Sequence, residues 1–132
     1  MDVDDTREWF AEYVRVFEAC GRGASDDIGR LGGYYGVPLL LTTEATAVAF
    51  MTQQEVVAAV RDQISGMRAA GYDRSETLDS ETTSVNATTA LHTAEFSRRR
   101  ADGSEIGRLR ATYLIIDSDR GRRISALAVH TA

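Results

Sequence analysis

Two histidines, five tyrosines, one cysteine and no lysine set the chemistry this chain can attempt. Imidazole is the side chain whose ordinary pKa suits proton transfer near neutral pH. His92 is the sharper candidate. The hairpin register derived below sets it opposite Tyr113 on one strand face, where it could take a proton while the phenol donates a hydrogen bond. The plainer alternative is a core histidine satisfied by that same tyrosine. His130 fits a strand-end or interface position better than a catalytic one. Two distant histidines, with no spacing such as His-x-x-x-His, do not make a metal site, so neither a metal nor a cofactor is expected. Cys20 has no visible base and fits a small core residue. As a single cysteine it excludes an internal disulfide and a Cys-based zinc cage. The lack of lysine removes Schiff-base chemistry. Residues 29–36 hold a Gly-Gly pair but no phosphate loop or dinucleotide fingerprint, and the Ser/Thr-rich run 75–93 holds no nucleophile elbow.

The elements that must position these groups lie mostly in the run from about Ser84 to Thr131. It predicts three long antiparallel strands, joined at Asp102-Gly103 and at Asp119-Arg120-Gly121. An Asp-Gly pair favours a tight two-residue hairpin, and the second turn predicts a three-residue loop with Gly121 left-handed. The first turn sets Arg100 opposite Glu105, Glu95 opposite Arg110, Thr93 opposite Thr112, Leu91 opposite Leu114, His92 opposite Tyr113 and Phe96 opposite Leu109. Opposite charges meet and apolar residues meet, which supports the pairing. The second sets Leu127 beside Tyr113 and His130 beside Arg110, unless a bulge shifts it by one residue. One face then carries Ala90, His92, Ala94, Phe96, Tyr113 and Leu127. The other carries Leu91, Thr93, Glu95, Arg110, Leu114 and His130, with Glu95 and Arg110 as a cross-strand ion pair.

The last two strands are apolar on both faces, as in Tyr113-Leu114-Ile115-Ile116 and Ala126-Leu127-Ala128-Val129. A sheet with one wet face should alternate apolar with polar. Both faces therefore need cover, and the chain has helix enough for one. A pocket or core is expected on the His92 side and a partner on the other.

Trp9, Phe10, Tyr13, Val14 and Phe17 form one stripe at helical spacing, predicting a helix from Thr6 to Ala19 with Asp5 and Glu8 as a capping box. A short helix fits Ser25 to Leu31 with Ser25 as its cap. Pro38 suits the start of a strand over Leu39 to Thr42, and Ala47 to Met51 suits another. Thr52-Gln53-Gln54-Glu55 opens a helix to about Ala70, striped by Val56, Val57, Val60, Ile64 and Met67. Tyr72 to Glu81 predicts a polar, exposed strand. The aromatics Trp9, Tyr13, Tyr34, Tyr35, Phe50 and Tyr72, together with Phe96 and Leu127 on the inward face, are the candidates to line an apolar pocket.

A chain of 132 residues, 43% hydrophobic and 27% charged, suits one domain spanning residues 1–132 with a single core. The longest apolar run, Val37 to Leu41, is too short to cross a bilayer, so no membrane partner is expected. The acidic start Met1-Asp2-Val3-Asp4-Asp5 lacks the features of a secretory or transit signal, which predicts a cytoplasmic protein. The net charge of −5 is unevenly spread: residues 1–81 hold seven Arg against fifteen acids, and residues 82–132 hold eight Arg against five. The basic cluster of Arg98, Arg99, Arg100, Arg108, Arg110, Arg120, Arg122 and Arg123 lies at hairpin ends. On an acidic chain it predicts solvated strand-end charge and no nucleic-acid partner.

The order helix, short helix, short strands, long helix and curling meander is similar to the nuclear transport factor 2-like superfamily. The motifs that carry the likeness are Trp9 to Phe17, Tyr34-Tyr35-Gly36-Val37-Pro38, Thr52-Gln53-Gln54-Glu55, Phe96-Ser97-Arg98 with Ala101-Asp102-Gly103, and Gly121-Arg122-Arg123-Ile124 running to His130. The resemblance implies an α+β, cystatin-like cone: three helices on a strongly curved, mostly antiparallel sheet that wraps a pocket. It further implies pairing of convex sheet faces in a homodimer. The superfamily includes ketosteroid isomerases, scytalone dehydratase and polyketide cyclases (SnoaL-like), and this chain most resembles its uncharacterised bacterial branch. Isomerases place an aspartate near the position of Tyr113; Ala111-Thr112-Tyr113-Leu114 has none. Tyr13 matches the position of their oxyanion-stabilising tyrosine.

The expected function is binding of a small, largely apolar molecule, with any turnover being proton transfer of the isomerase, dehydratase or cyclase kind. His92 would then be the base, and Tyr113 or Tyr13 the donor. The alternative is a non-catalytic dimeric interaction module with a vestigial pocket.

Overall fold

The stripe from Trp9 to Phe17 forms a helix longer than its spacing suggests. In the computed structural model, which describes residues 1–131, α1 spans Val3–Gly21. Asp2, not Asp5, is its cap: the Asp2 carboxylate accepts from the Asp5 N–H and satisfies a first-turn donor that would otherwise be orphaned. Asp5 instead lies inside the first turn, where its charge suits the helix dipole. The second helix, α2, spans Ile28–Gly32 and is capped by Asp27 rather than Ser25, whose hydroxyl accepts from the Asp27 N–H.

The chain then runs through β1 (Tyr35–Thr42) and β2 (Ala47–Phe50) into α3 (Gln53–Ala69). β1 starts earlier than Leu39 because Tyr35 pairs with the last strand. The expected cap of α3 holds: Thr52 accepts from the Glu55 N–H, and the Glu55 carboxylate reaches back to the Met51 N–H. Gly71, at φ +81°, turns the chain into β3 (Tyr72–Asn86), followed by β4 (Thr89–Arg100), β5 (Glu105–Ser118) and β6 (Gly121–Thr131). The stretch 84–86, expected to open the meander, belongs to the end of β3.

The six strands form one curved, unclosed sheet in the order β2-β1-β6-β5-β4-β3, antiparallel except for β1 against β6. The expected pairings hold from Leu91–Leu114 to Phe96–Leu109 and from Leu127–Tyr113 to His130–Arg110. The turns reach them differently. The first loop is three residues, closed by the Arg100 N–H donating to the Ser104 carbonyl, with Gly103 at φ +88°. The second is two residues, because Ser118 pairs with Gly121. Each departure is undone by one extra residue, Ile106 in β5 and Ser125 in β6. The one expected pair that fails is Arg100–Glu105: Arg99 takes Glu105 instead, since it lies on the turn side of the first bulge.

α1 and α3 cover the concave face. Phe10, Tyr13 and Phe17 from α1 and Val56, Val60, Ile64 and Met67 from α3 are buried against Ala94, Phe96, Ala111, Tyr113, Ile115 and Ile124 of the sheet. On the convex face, register aligns Leu91, Leu114, Ala126, Leu40 and Ala49 in one row across five strands. Leu40 and Leu91 in that row are 47% and 37% exposed. Two rows along on the same face, past Thr93, Thr112, Ala128 and Thr42, come Asp79, Glu95, Arg110 and His130, with Arg110 paired to both acids at 3.6 and 3.4 Å. Asp117 at the end of β5 pairs with Arg122 at 2.9 Å.

Candidate functional site

The inward faces of α1, α3 and the sheet do not close on one another completely. They leave a chamber of about 370 Å³. α1 contributes Tyr13, Val14 and Phe17, which share a face because Phe17 lies four residues after Tyr13 and three after Val14. α3 contributes Val56, Ala59, Val60 and Gln63 at the same spacing. Alternation along the strands adds Phe96 and Arg98 from β4, and Leu109, Ala111 and Tyr113 from β5. Leu127 and Val129 follow from β6, Leu39 and Leu41 from β1, and Phe50 from β2. The Ser125 bulge lets Ile124 and Leu127 both point inward although they are an odd number of positions, three, apart.

Of the residues expected to hold a ligand, Tyr13, Tyr35, Phe50, Phe96 and Leu127 all border this chamber, as does Tyr113. Trp9 does not. It faces away, with its ring 5.4 Å from that of Tyr34, whose hydroxyl donates to Glu12 at 2.7 Å. Tyr72 is also outside the chamber, over a smaller cleft beside Met67 and Ile106.

His92 lies on the inward face as its register requires, but outside the chamber lining. Phe10 stands against it with ring centres 3.9 Å apart. Its Nδ1 shares a 2.7 Å hydrogen bond with Thr82 Oγ1 on β3, the cross-strand neighbour opposite the one expected. Tyr113 is beside it with ring centres 6.1 Å apart, and no hydrogen bond joins the two. Burial, with a smaller push from the Arg7 guanidinium, lowers the His92 pKa to about 4, so the ring is neutral at pH 7.

The chamber's polar side chains are the phenols of Tyr13, Tyr35 and Tyr113 together with Thr43, Gln63, Ser75 and Arg98. The hydroxyls of Tyr13 and Tyr35 share a hydrogen bond. Burial pushes the Tyr35 phenol up to about 12 and lifts Tyr13 and Tyr113 well above the usual value, with Arg98 pulling the other way on all three. All three are protonated donors at neutral pH. Arg98 is the residue that sequence reasoning missed, having been grouped with the solvated strand-end charges. The signal was present, because Arg98 continues the inward series of Ala90, His92, Ala94 and Phe96 two residues further on.

Among the described residues, no group of three or more His, Cys, Asp or Glu could hold a metal ion, and no helix is long and apolar enough to cross a membrane.

Comparisons with known proteins agree on the architecture. No curated protein matches the sequence. An NTF2-like protein with a cystatin-like fold from Novosphingobium aromaticivorans superposes with a TM-score of 0.72 at 12% identity, over 97% of this chain and 80% of its own. An NTF2-like protein of unknown function from Shewanella oneidensis MR-1 gives 0.70 at 15% identity, over 95% and 98%. The yeast UBP3-associated protein BRE5 gives 0.71 at 13%, over 98% and 95%. At these identities the likeness is one of fold alone. The family model described as NTF2-like protein (DUF6841) matches residues 4–132, nearly the whole chain and every element described above, and the chain therefore belongs to that NTF2-like family.

Proposed function

We propose that the protein binds a small, largely apolar molecule in the chamber between α1, α3 and the concave sheet. The observation that carries this reading is the lining: aliphatic and aromatic side chains around about 370 Å³, with a few convergent polar groups. That combination is the usual make-up of a small-molecule site. Binding without turnover is the version the geometry favours. Proton transfer needs a base within reach of the ligand, and the lining contains no His, Asp, Glu or Cys. For His92 to act as the base with Tyr113 or Tyr13 as donor, Phe10 would first have to move aside.

Calorimetric titration with a panel of small aromatic and aliphatic molecules tests the reading. At least one should bind the parent at micromolar Kd. Ala59→Phe, which projects a ring into the chamber from a half-buried position on α3, should weaken it about tenfold or more, since a tenfold change needs only about 1.4 kcal/mol. A panel without a binder, or equal affinity in the filled variant, would sink the proposal.

A second reading concerns the other face and assigns it to a second copy of this chain. Its support is the apolar row of Leu91, Leu114, Ala126 and Leu40 and, two rows along on the same face, a row that is acidic at Asp79 and Glu95 and basic at Arg110 and His130. A two-fold axis sets such a row against its own reverse, acid over base, as a self-complementary interface requires. The dimeric interaction module and the ligand-binding protein are compatible, because they use opposite faces.

A further inference from the structure

The polar groups around the chamber are unequal in kind, and the imbalance points to a ligand class. Arg98 is the one charged residue in the lining. Its guanidinium carbon stands 5.7 Å from the centre of the Phe17 ring. Its neighbours on β4 are occupied: Arg99 by Glu76 and Glu105, and Arg100 by the Ala70 carbonyl. Among the described residues Arg98 has no ion-pair or hydrogen-bond partner.

The phenols add to the excess of donors. Tyr13 and Tyr35 share one hydrogen bond, so whichever donates, the proton of the other is unspent. The Tyr113 hydroxyl has no partner among the described residues. On the acceptor side the lining side chains offer Gln63 and the hydroxyls of Thr43 and Ser75, and Ser75 is already bonded to Tyr72. A hydrocarbon would leave this donor set unmatched at the moment of burial, which costs more than never having made the bonds.

We propose that the chamber is built for an amphipathic monocarboxylate, its apolar body against Val14, Leu39, Val56 and Leu127 and its carboxylate on Arg98. The inference rests on the chamber being a small-molecule site. A planar guanidinium matches a carboxylate through two parallel N–H···O bonds, and charge-assisted bonds of this kind are about twice as strong as neutral ones. A single cation selects a single negative charge, because a dianion would bury one charge uncompensated. The neutral phenols then supply hydrogen bonds to the same head group without opposing its charge.

Matched acid and amide pairs provide the test: octanoate with octanamide, 4-phenylbutyrate with 4-phenylbutyramide, and 2-naphthoate with 2-naphthamide, titrated calorimetrically at pH 7.5. In the unaltered protein the acid of a binding pair should be about tenfold tighter or more than its amide. Arg98→Met should reduce that preference to about twofold or less, weakening the acid far more than the amide, and Arg98→Lys should keep part of it. Amide binding by Arg98→Met shows in the same experiment that the variant is folded. Equal binding of acid and amide by the unaltered protein overturns the inference and leaves the chamber reading standing. So does an acid preference that survives in Arg98→Met. Failure of all six compounds to bind removes both.

Discussion

Burial and the Arg7 guanidinium press on the same side of the His92 equilibrium. Both disfavour the proton, and the pKa falls to about 4, against about 6.5 in an unfolded chain. Between those values the unfolded state binds more protons than the folded one, so stability falls as the pH drops from 6.5 towards 4 and levels off below. His92 alone should account for about 2 kcal/mol of stability lost between pH 7 and pH 5. Urea unfolding of the parent and of His92→Gln at the two pH values isolates the effect, since the carboxylates are common to both proteins. An equal loss in the two would show that His92 takes up its proton in the folded state as readily as in the unfolded one. The inward face of His92 was legible from strand alternation alone. Its partner was not: Thr82 lies on a polar strand whose sequence carries no apolar alternation to fix a register, so only the folded sheet brings it opposite.

Bulges decide how the elements fit. An Asp-Gly pair and a Gly after two polar residues are sound turn signals, and both glycines take positive φ. What those signals do not encode is where an extra residue sits along a strand. Here the loops have lengths three and two instead of two and three, and the bulges at Ile106 and Ser125 restore the register beyond them. The central pairings were therefore readable, whereas the strand ends were not.

Close approach is a second element-scale constraint. Gly21 ends α1 where a Cβ would lie 2.7 Å from the Tyr72 ring and 2.8 Å from the end of Met67. Met67 could give way, but the buried Tyr72 ring has less room. Gly21→Ala should destabilise the protein by about 1–3 kcal/mol, the usual cost of overpacking, despite the higher helix propensity of alanine. Chemical denaturation measures it. A neutral or stabilised variant would mean that α1 and β3 are free to separate at that end.

For the whole molecule, the succession of elements and the apolar character of both sheet faces sufficed to suggest an NTF2-like cone, and the family match confirms the assignment. The chamber wall was legible where it is aromatic and obscure where it is charged, because charge near a turn ordinarily signals solvent. The convex face gives the prediction proper to this scale. Sedimentation at micromolar concentration should show a dimer, and Leu114→Arg, which sets a charge in the middle of the apolar row, should shift it to monomer by about tenfold or more in Kd. A parent that sediments as a monomer would refute the two-copy reading.

The parallel pairing of β1 with β6 has a consequence for synthesis. β6 is the last of the six strands to leave the ribosome, yet it sits between β5 and β1 in the middle of the sheet. Until it emerges, β1 and β2 have no sheet to join, and β5 shows a bare apolar edge. The pairing of β1 with β6 is thus among the most distant contacts along the chain, and such contacts form late and slowly. The nascent chain passes through a half-sheet stage in which that edge is open to wrong partners.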